Sequence, residues 1–280
     1  MNTKLLFVHA LSPLHAGTGQ GVGVIDLPIA REKATNLPYL PGSSLKGVLR
    51  DACDTANREA IFGPETANAD AYAGSVHFTD QRLLLMPIRS LAGTFAWVTS
   101  PFVLRRFLRD TEMTSTNAFP DKVPAVSQQS ECLTAAETDL QTSHGPIVLE
   151  DIQLKARNDA DAWAKAFASV LFPNDPAWQE IFKKRFCIVH DEIFGFFVEH
   201  ATEVVARIAL ESEKKTVKKG ALWYEESLPA ESVLSGVVVA APVKADIDTV
   251  FATVRGLIDK PLQLGGKATV GRGLCQLRML

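Results

Sequence analysis

Asp26 stands just beyond a run in which glycine recurs at every second position: Gly17, Gly19, Gly21 and Gly23. Backbone of that composition adopts positive φ readily and can approach a phosphate or a ribose closely. A carboxylate at its end, set among Val24, Ile25, Leu27, Pro28 and Ile29, has two readings. It can bond its own backbone in a turn, or it can act as a metal ligand or general base on a mobile loop. His15, just ahead of the glycines, also has two. It is either a satisfied, half-buried ring or a functional one, as a donor to ribose or phosphate or as a partner for Asp26 in proton transfer. Two nucleotide loops are excluded: a dinucleotide fingerprint begun at Gly17 needs glycine or alanine where Val22 stands, and no GxxxxGK[ST] run occurs.

Two further segments have anion-binding character. In Pro41-Gly42-Ser43-Ser44-Leu45-Lys46-Gly47-Val48-Leu49-Arg50 the serines are expected to cap a helix whose free amides would receive a phosphate. Lys46 and Arg50, four apart, add charge along one edge of it. Gly47 inside a helix costs about 1 kcal/mol and suggests close approach of something. Near the end of the chain, Gly265, Gly266, Lys267, Gly271, Arg272 and Gly273 form a basic glycine loop, suited either to backbone contact with phosphate or to a bulged hairpin turn.

These segments need elements to hold them. Lys4–Ser12 predicts a strand with both faces buried, and Leu45, Val48, Leu49, Ala52, Cys53 and Ala56 predict a helix. Ser75–Asp80, Leu83–Ile88 and Thr94–Thr99 read as strands, followed by a short helix from Pro101 through Leu108. From about Asp110 to Gly145 no period is visible, which predicts a long insertion or mobile loop. Pro146–Leu154 reads as one strand, Ala160–Leu171 and Pro176–Lys184 as helices, Phe186–His190 as a strand and Glu192–His200 as a helix. Val204–Leu210 and Ala221–Leu228 flank a polar tip and predict an extended hairpin. Ser232–Val243, Ala245–Ile258 and Thr269–Leu280 follow as strand, helix and strand. This order suggests one elaborated α+β domain, a ferredoxin-like βαββαβ unit with its first and last strands paired centrally.

Composition narrows the class. The 280 residues are 46% hydrophobic, and no apolar run approaches the roughly 18 residues of a membrane span. The opening residues lack the length of a secretory signal, and four scattered cysteines fit neither a zinc site nor a disulfide framework. A soluble, cytoplasmic protein is expected. The net charge of −3 does not suggest a polyanion binder, but local clusters decide that question. Basic residues gather at Arg105, Arg106 and Arg109, at Lys183–Arg185, and at Lys214, Lys215, Lys218 and Lys219.

Together the serine-bearing helix segment and the late glycine loop resemble the RAMP superfamily. Within it, His15–Glu32, Leu83–Thr99 and Gly220–Glu226 resemble the repeated backbone subunits of Cmr-type (type III-B) CRISPR effectors. The likeness spans nearly the whole chain and is weakest around residues 110–145. It implies an RRM-like, ferredoxin-like palm from residues 1–100 and 230–280, helical fingers near 101–203, and a projecting β-hairpin thumb at 204–228. It also implies copies stacked helically along a CRISPR guide RNA beside other Cmr subunits, which requires two different contacting surfaces per copy. Complementary target RNA is then cut at regular intervals with a divalent metal, Mg or Mn, by attack of the adjacent ribose 2′-hydroxyl. By this resemblance Asp26 is the cleaving residue and metal ligand, with His15, Tyr224 and Glu225 as neighbours and the ion recruited with RNA. Gly17, Gly19, Ser43, Ser44, Lys46, Arg50, the four hairpin lysines, Gly265, Gly266, Lys267 and Arg272 would touch RNA. The rivals are a non-catalytic RNA-coating scaffold and a metal-independent guide-processing nuclease that uses His15.

Overall fold

The computed structural model describes residues 2–21, 24–54, 56–65, 70–211, 214 and 216–280. Its frame is set by β1 (Asn2–Ala10), in which Leu5, Leu6, Phe7 and Val8 are all buried, so both faces of the strand are covered. On one edge β1 pairs antiparallel with β12 (Val233–Ala240), on the other with β14 (Leu274–Met279). β12 pairs in turn with β4 (Gln81–Arg89), also antiparallel. The spatial order is therefore β14-β1-β12-β4. α1 (Gly42–Ala52) lies on the connection from β1 to β4, and α7 (Ile247–Ile258) on that from β12 to β14. The two helices pack against each other. β2 (Tyr39–Leu40) and β3 (Val76–Phe78) add short pairings to β4 and β12, and β13 (Leu262–Gln263) adds one to β14. α2 (Arg58–Phe62) lies between α1 and β3.

Beyond β4 the sheet continues through β5 (Phe95–Thr99), β9 (Phe186–Val189), β6 (Glu131–Thr134), β8 (Ile152–Asn158) and β7 (Ile147–Leu149), with the β5–β9 and β6–β8 pairs parallel. This is a mixed α+β chain on a large mixed sheet, as the pattern of elements predicted. α3 (Pro101–Met113) carries Phe107 to within 5.8 Å of Phe7, and Phe119 and Phe167 extend that aromatic cluster. α4 (Asp161–Leu171), α5 (Pro176–Arg185) and α6 (Asp191–His200) complete the insertion between β4 and β12. β10 (Glu203–Leu210) and β11 (Val217–Ser227) form a separate two-stranded sheet with a bulge between Ile208 and Leu210. Among the described residues no helix is long and apolar enough to cross a membrane.

Three expectations fail here. The stretch 110–145 is not one long loop: α3 runs on to Met113, and β6 brings Cys132 and Leu133 into the sheet, fully buried. A four-residue strand is too short to show a period. Pro146–Leu154 is two strands, folded back at Glu150, whose φ of 48° lies in the left-handed region. The serines do not cap α1. The helix begins at Gly42, where a Cβ would overlap the carbonyl oxygen of Phe78, and its first amide donates to Asp80 Oδ1 at 2.9 Å. The Asp175 cap of α5 is as predicted, its carboxylate accepting from Trp178 N at 3.0 Å.

Candidate catalytic loop at the hairpin base

From β1 the chain makes a narrow excursion whose two limbs are clipped together. Ala30 N donates to Ala16 O at 2.7 Å, and Gly21 N to Asp26 O at 2.8 Å. The rising limb is pinned on both sides. Leu14 and Leu228 exchange amide bonds of 2.9 Å, and Gly266 N donates to His15 O at 2.9 Å. The descending limb runs beside β11, with Leu27 N donating to Tyr224 O and Glu226 N to Leu27 O. The glycine-rich segment is thus threaded between the hairpin base and the late glycine loop.

Asp26 is exposed near the end of this excursion, and its Oδ2 accepts from Tyr224 N at 2.8 Å. It is therefore not the self-bonded turn residue that its local sequence allowed. The carboxylate is tethered to a strand 198 residues away. Oδ1 has no hydrogen-bond partner among the described residues.

His15 answers differently. Its ring is buried, Nδ1 lies 2.6 Å from Glu226 O, and a Cβ on Gly17 would come within 2.5 Å of Nε2. It packs beneath the loop as the satisfied histidine, and no hydrogen bond joins it to Asp26. Tyr224 and Glu225 cannot both present side chains to Asp26, because successive residues of a strand face opposite ways. Tyr224 contributes its amide. Glu225 turns to the other face, where Oε1 accepts from Lys267 Nζ (2.7 Å) and Trp223 Nε1 (2.8 Å), and Oε2 from Arg207 Nε (3.3 Å). Burial raises this carboxyl, but the bonds from Lys267 and Trp223, the charge of Lys267 and the bond from Arg207 outweigh it and hold it at about 2.

The expected metal finds no resident cage. Among the described residues no three His, Cys, Asp or Glu side chains converge. With Glu225 engaged at both oxygens and His15 buried, one oxygen of Asp26 is what this loop offers, too little to hold an ion alone.

The expected RNA contacts sort into three groups. Ser43, Ser44 and Gly47 lie exposed on α1, and a Cβ at Gly47 would meet nothing within 4 Å, so nothing in this chain requires that glycine. Lys46 is half-buried, its pKa lowered by burial and then by the charge of Arg50. Arg50, however, spends its guanidinium on the carbonyls of Gly63 and Pro64, at 2.6 and 2.9 Å. Lys267 and Arg272 are likewise taken, the second by Glu203 at 2.8 Å, so they fasten the glycine loop to the hairpin base. Gly19 is exposed with φ of 93°, and Gly265, at 72°, has no room for a Cβ against His15 O. Lys214 and Lys218 are exposed at the hairpin tip, whereas Lys215 and the side chain of Lys219 lie outside the described residues.

Residues 7–276 match the RAMP superfamily. The chain belongs to that superfamily. Over 290 aligned residues it is 35% identical to the CRISPR system Cmr endoribonuclease Cmr4 of Pyrococcus furiosus, covering 100% of this chain and 96% of that protein. To the CRISPR system CMR subunit Cmr4 of Saccharolobus solfataricus it is 26% identical, with 99% and 96% covered. The structure of oligomeric Cmr4 from Pyrococcus furiosus superposes with a TM-score of 0.75 at 27% identity, covering 100% of this chain and 98% of that one. A type III-B Cmr-beta complex bound to cognate target RNA contains a chain of the same fold, with a TM-score of 0.75 at 20% identity and 100% and 97% covered. The family resemblance carried by the glycine loops and the Trp-Tyr-Glu-Glu strand is correct.

Two residues of this RAMP chain that hold the loop escaped sequence reading. Glu226, buried, accepts from Ile29 N (3.1 Å), Thr202 Oγ1 (3.0 Å) and Arg31 Nη2 (2.5 Å). Arg31 also donates to Val198 O and Asn36 O. Strand alternation in Trp223–Glu226 puts Glu225 and Glu226 on opposite faces, a signal that could have separated their roles.

Proposed function

We propose that this RAMP protein is the repeated backbone subunit of a type III-B CRISPR ribonucleoprotein, coating guide RNA and cleaving complementary target RNA, with Asp26 as the catalytic carboxylate. Kinship with a named Cmr endoribonuclease supports the activity. The observation that carries the assignment to Asp26 is its geometry: it is exposed, with one oxygen aimed by the Tyr224 amide and the other unengaged. In this reading β14-β1-β12-β4 with α1 and α7 is a ferredoxin-like palm, residues 101–203 are fingers, and β10–β11 is the thumb. Strand order and crossover helices support the palm; the separate, apolar-faced hairpin, with Val204, Ile208, Leu210 and Leu222 exposed, supports the thumb.

The thumb unstacks one target nucleotide and splays its backbone, aligning the ribose 2′-oxygen with phosphorus and leaving oxygen; orientation of this kind supplies much of the rate. The free Asp26 oxygen takes the 2′-hydroxyl proton as the O–P bond forms. The 5′-oxygen departs with a proton from solvent, leaving a 2′,3′-cyclic phosphate. When a divalent ion, Mg or Mn, is recruited with RNA, Asp26 would instead be its protein ligand, and the ion would activate the 2′-hydroxyl or stabilise charge on the leaving oxygen. Buried, backbone-bonded His15 supports a positioning role and argues against the guide-processing alternative. The protein works in the cytoplasm with other Cmr subunits and further copies of itself.

The test is cleavage of end-labelled complementary RNA by the guide-loaded assembly with Mg²⁺, comparing wild type and Asp26→Ala. Regularly spaced cuts that vanish in the variant while target binding persists are expected. Unchanged cuts would move the chemistry elsewhere and leave this chain a scaffold.

A further inference from the structure

The outer face of α3 carries charge that the Asp26 site does not use. Phe102, Arg105 and Arg109, at i, i+3 and i+7, are all exposed along it. Arg106 between them is spent: both terminal nitrogens grip Glu32, at 2.7 and 2.5 Å, and its guanidinium lies 5.5 Å from the centre of the Phe102 ring. Arg105 and Arg109 have no hydrogen-bond or ion-pair partner among the described residues. These side chains, with Glu32 and Thr35, line an open groove of about 520 Å³. The charges facing it are three arginines against Glu32, with Glu112 exposed one turn further along. The start of the helix is already occupied, since Phe102 N donates to Asp191 Oδ1 at 2.8 Å. The cationic character therefore resides in the side chains.

We infer that this face is a second contact for an RNA strand, in which Arg105 and Arg109 each engage a phosphate and a base rests on Phe102. The inference builds on the RNA-binding reading above and adds a site to it. Three features select RNA as the occupant. Unpaired guanidinium forks match phosphate oxygens in pairs. An exposed ring beside them offers the stacking surface that single strands use. Finally, Glu32 and Thr35 belong to the limb returning from Asp26, so a strand in this groove runs alongside the catalytic loop. Neutralisation of Glu32 by Arg106 removes the carboxylate that would otherwise repel it.

The experiment measures binding of a labelled single-stranded RNA to the full chain, and of target RNA to its guide-loaded assembly, across a salt series. Wild type is compared with Arg105→Ala/Arg109→Ala, Arg105→Lys/Arg109→Lys and Phe102→Ala. Two lost phosphate contacts lower the slope of log K against log salt by about 1.4 and the affinity at 0.15 M salt by about tenfold. The lysine pair restores the slope but only part of the affinity, and Phe102→Ala weakens binding without changing the slope. Alanine variants that keep wild-type affinity and slope overturn the inference. So do variants that bind RNA normally but no longer assemble, because the face then meets protein. Wild type that cuts target while the arginine variants bind normally sinks this site alone; wild type that binds no RNA sinks the functional reading as well. All three positions are exposed, and the lysine pair keeps a readout if the alanine pair unfolds.

Discussion

Glu226→Ala removes the anchor under the Asp26 loop, and the structure sets the size of the effect. The Glu226 side chain is 3% exposed and that of Arg31 18%. Truncation leaves the Arg31 guanidinium without its anion and strips the Ile29 amide and the Thr202 hydroxyl of their acceptor. Removing one partner of a buried pair costs about 3–5 kcal/mol, and the residual exposure of Arg31 puts this one near about 3 kcal/mol. At this chain length that corresponds to a fall in Tm of about 5 °C. Urea denaturation gives the energy, and hydrogen exchange at the Ile29 amide gives its location. Glu226→Gln, which keeps an acceptor, should lose less, and Arg31→Met/Glu226→Leu should lose less than Glu226→Ala alone. Because Ile29 follows Asp26 in the descending limb, target cutting should slow even though Asp26 is intact. A cost below about 1 kcal/mol with the Ile29 amide still protected would refute the anchoring role.

Gly273 and Gly271 have nearly the same φ, 81° and 80°, but a Cβ at Gly273 overlaps Leu264 O while one at Gly271 meets nothing. Gly271→Ala should cost about 1–2 kcal/mol and Gly273→Ala clearly more, and equal melting shifts would contradict that. Glu225, held at about 2 against an ordinary 4.5, contributes stability that is present above pH 4.5 and lost as pH falls toward 2. Because Lys267 and Arg207 are each about a third exposed, solvent screening holds the amount to about 1–2 kcal/mol; Glu225→Gln should flatten the unfolding free energy over that window, and an unchanged pH slope would disprove the linkage. All four cysteines are buried; burial pushes Cys275 up to about 12, and the bond from Cys132 together with burial raises Cys187. A thiol reagent should label none of them quickly in native protein and all four in urea.

The frame was legible wherever a long period or a capping residue marked it. β1 announced itself by consecutive apolar residues, and α5 by Asp175 and Pro176. β6 was not legible, because four residues without turn signals carry no period, and its burial comes from β8 and β9 on either side. For the site, glycine spacing located the loop, and Asp26 followed from family resemblance. The fate of the charges was invisible. Arg50, Lys267 and Arg272 looked like phosphate ligands in sequence, yet their partners Gly63, Glu225 and Glu203 are distant enough that only the fold reveals them. The Glu32–Arg106 pair likewise leaves Arg105 and Arg109 unmatched, which no local pattern records.

The position of β1 has a consequence for how the chain is made. Its partners are residues 233–240 and 275–279, so β1 emerges about 220 residues before the nearer of its two neighbours exists. Until then a strand with Leu5–Val8 apolar on both faces waits with two open edges, the condition under which nascent chains pair wrongly or aggregate. The insertion between β4 and β12 can settle first around its own aromatic residues, and the contacts that close the sheet around β1 are the most distant in sequence and so the slowest to form. Synthesis rate and chaperone access should therefore govern the yield of native subunit more strongly than its final stability does.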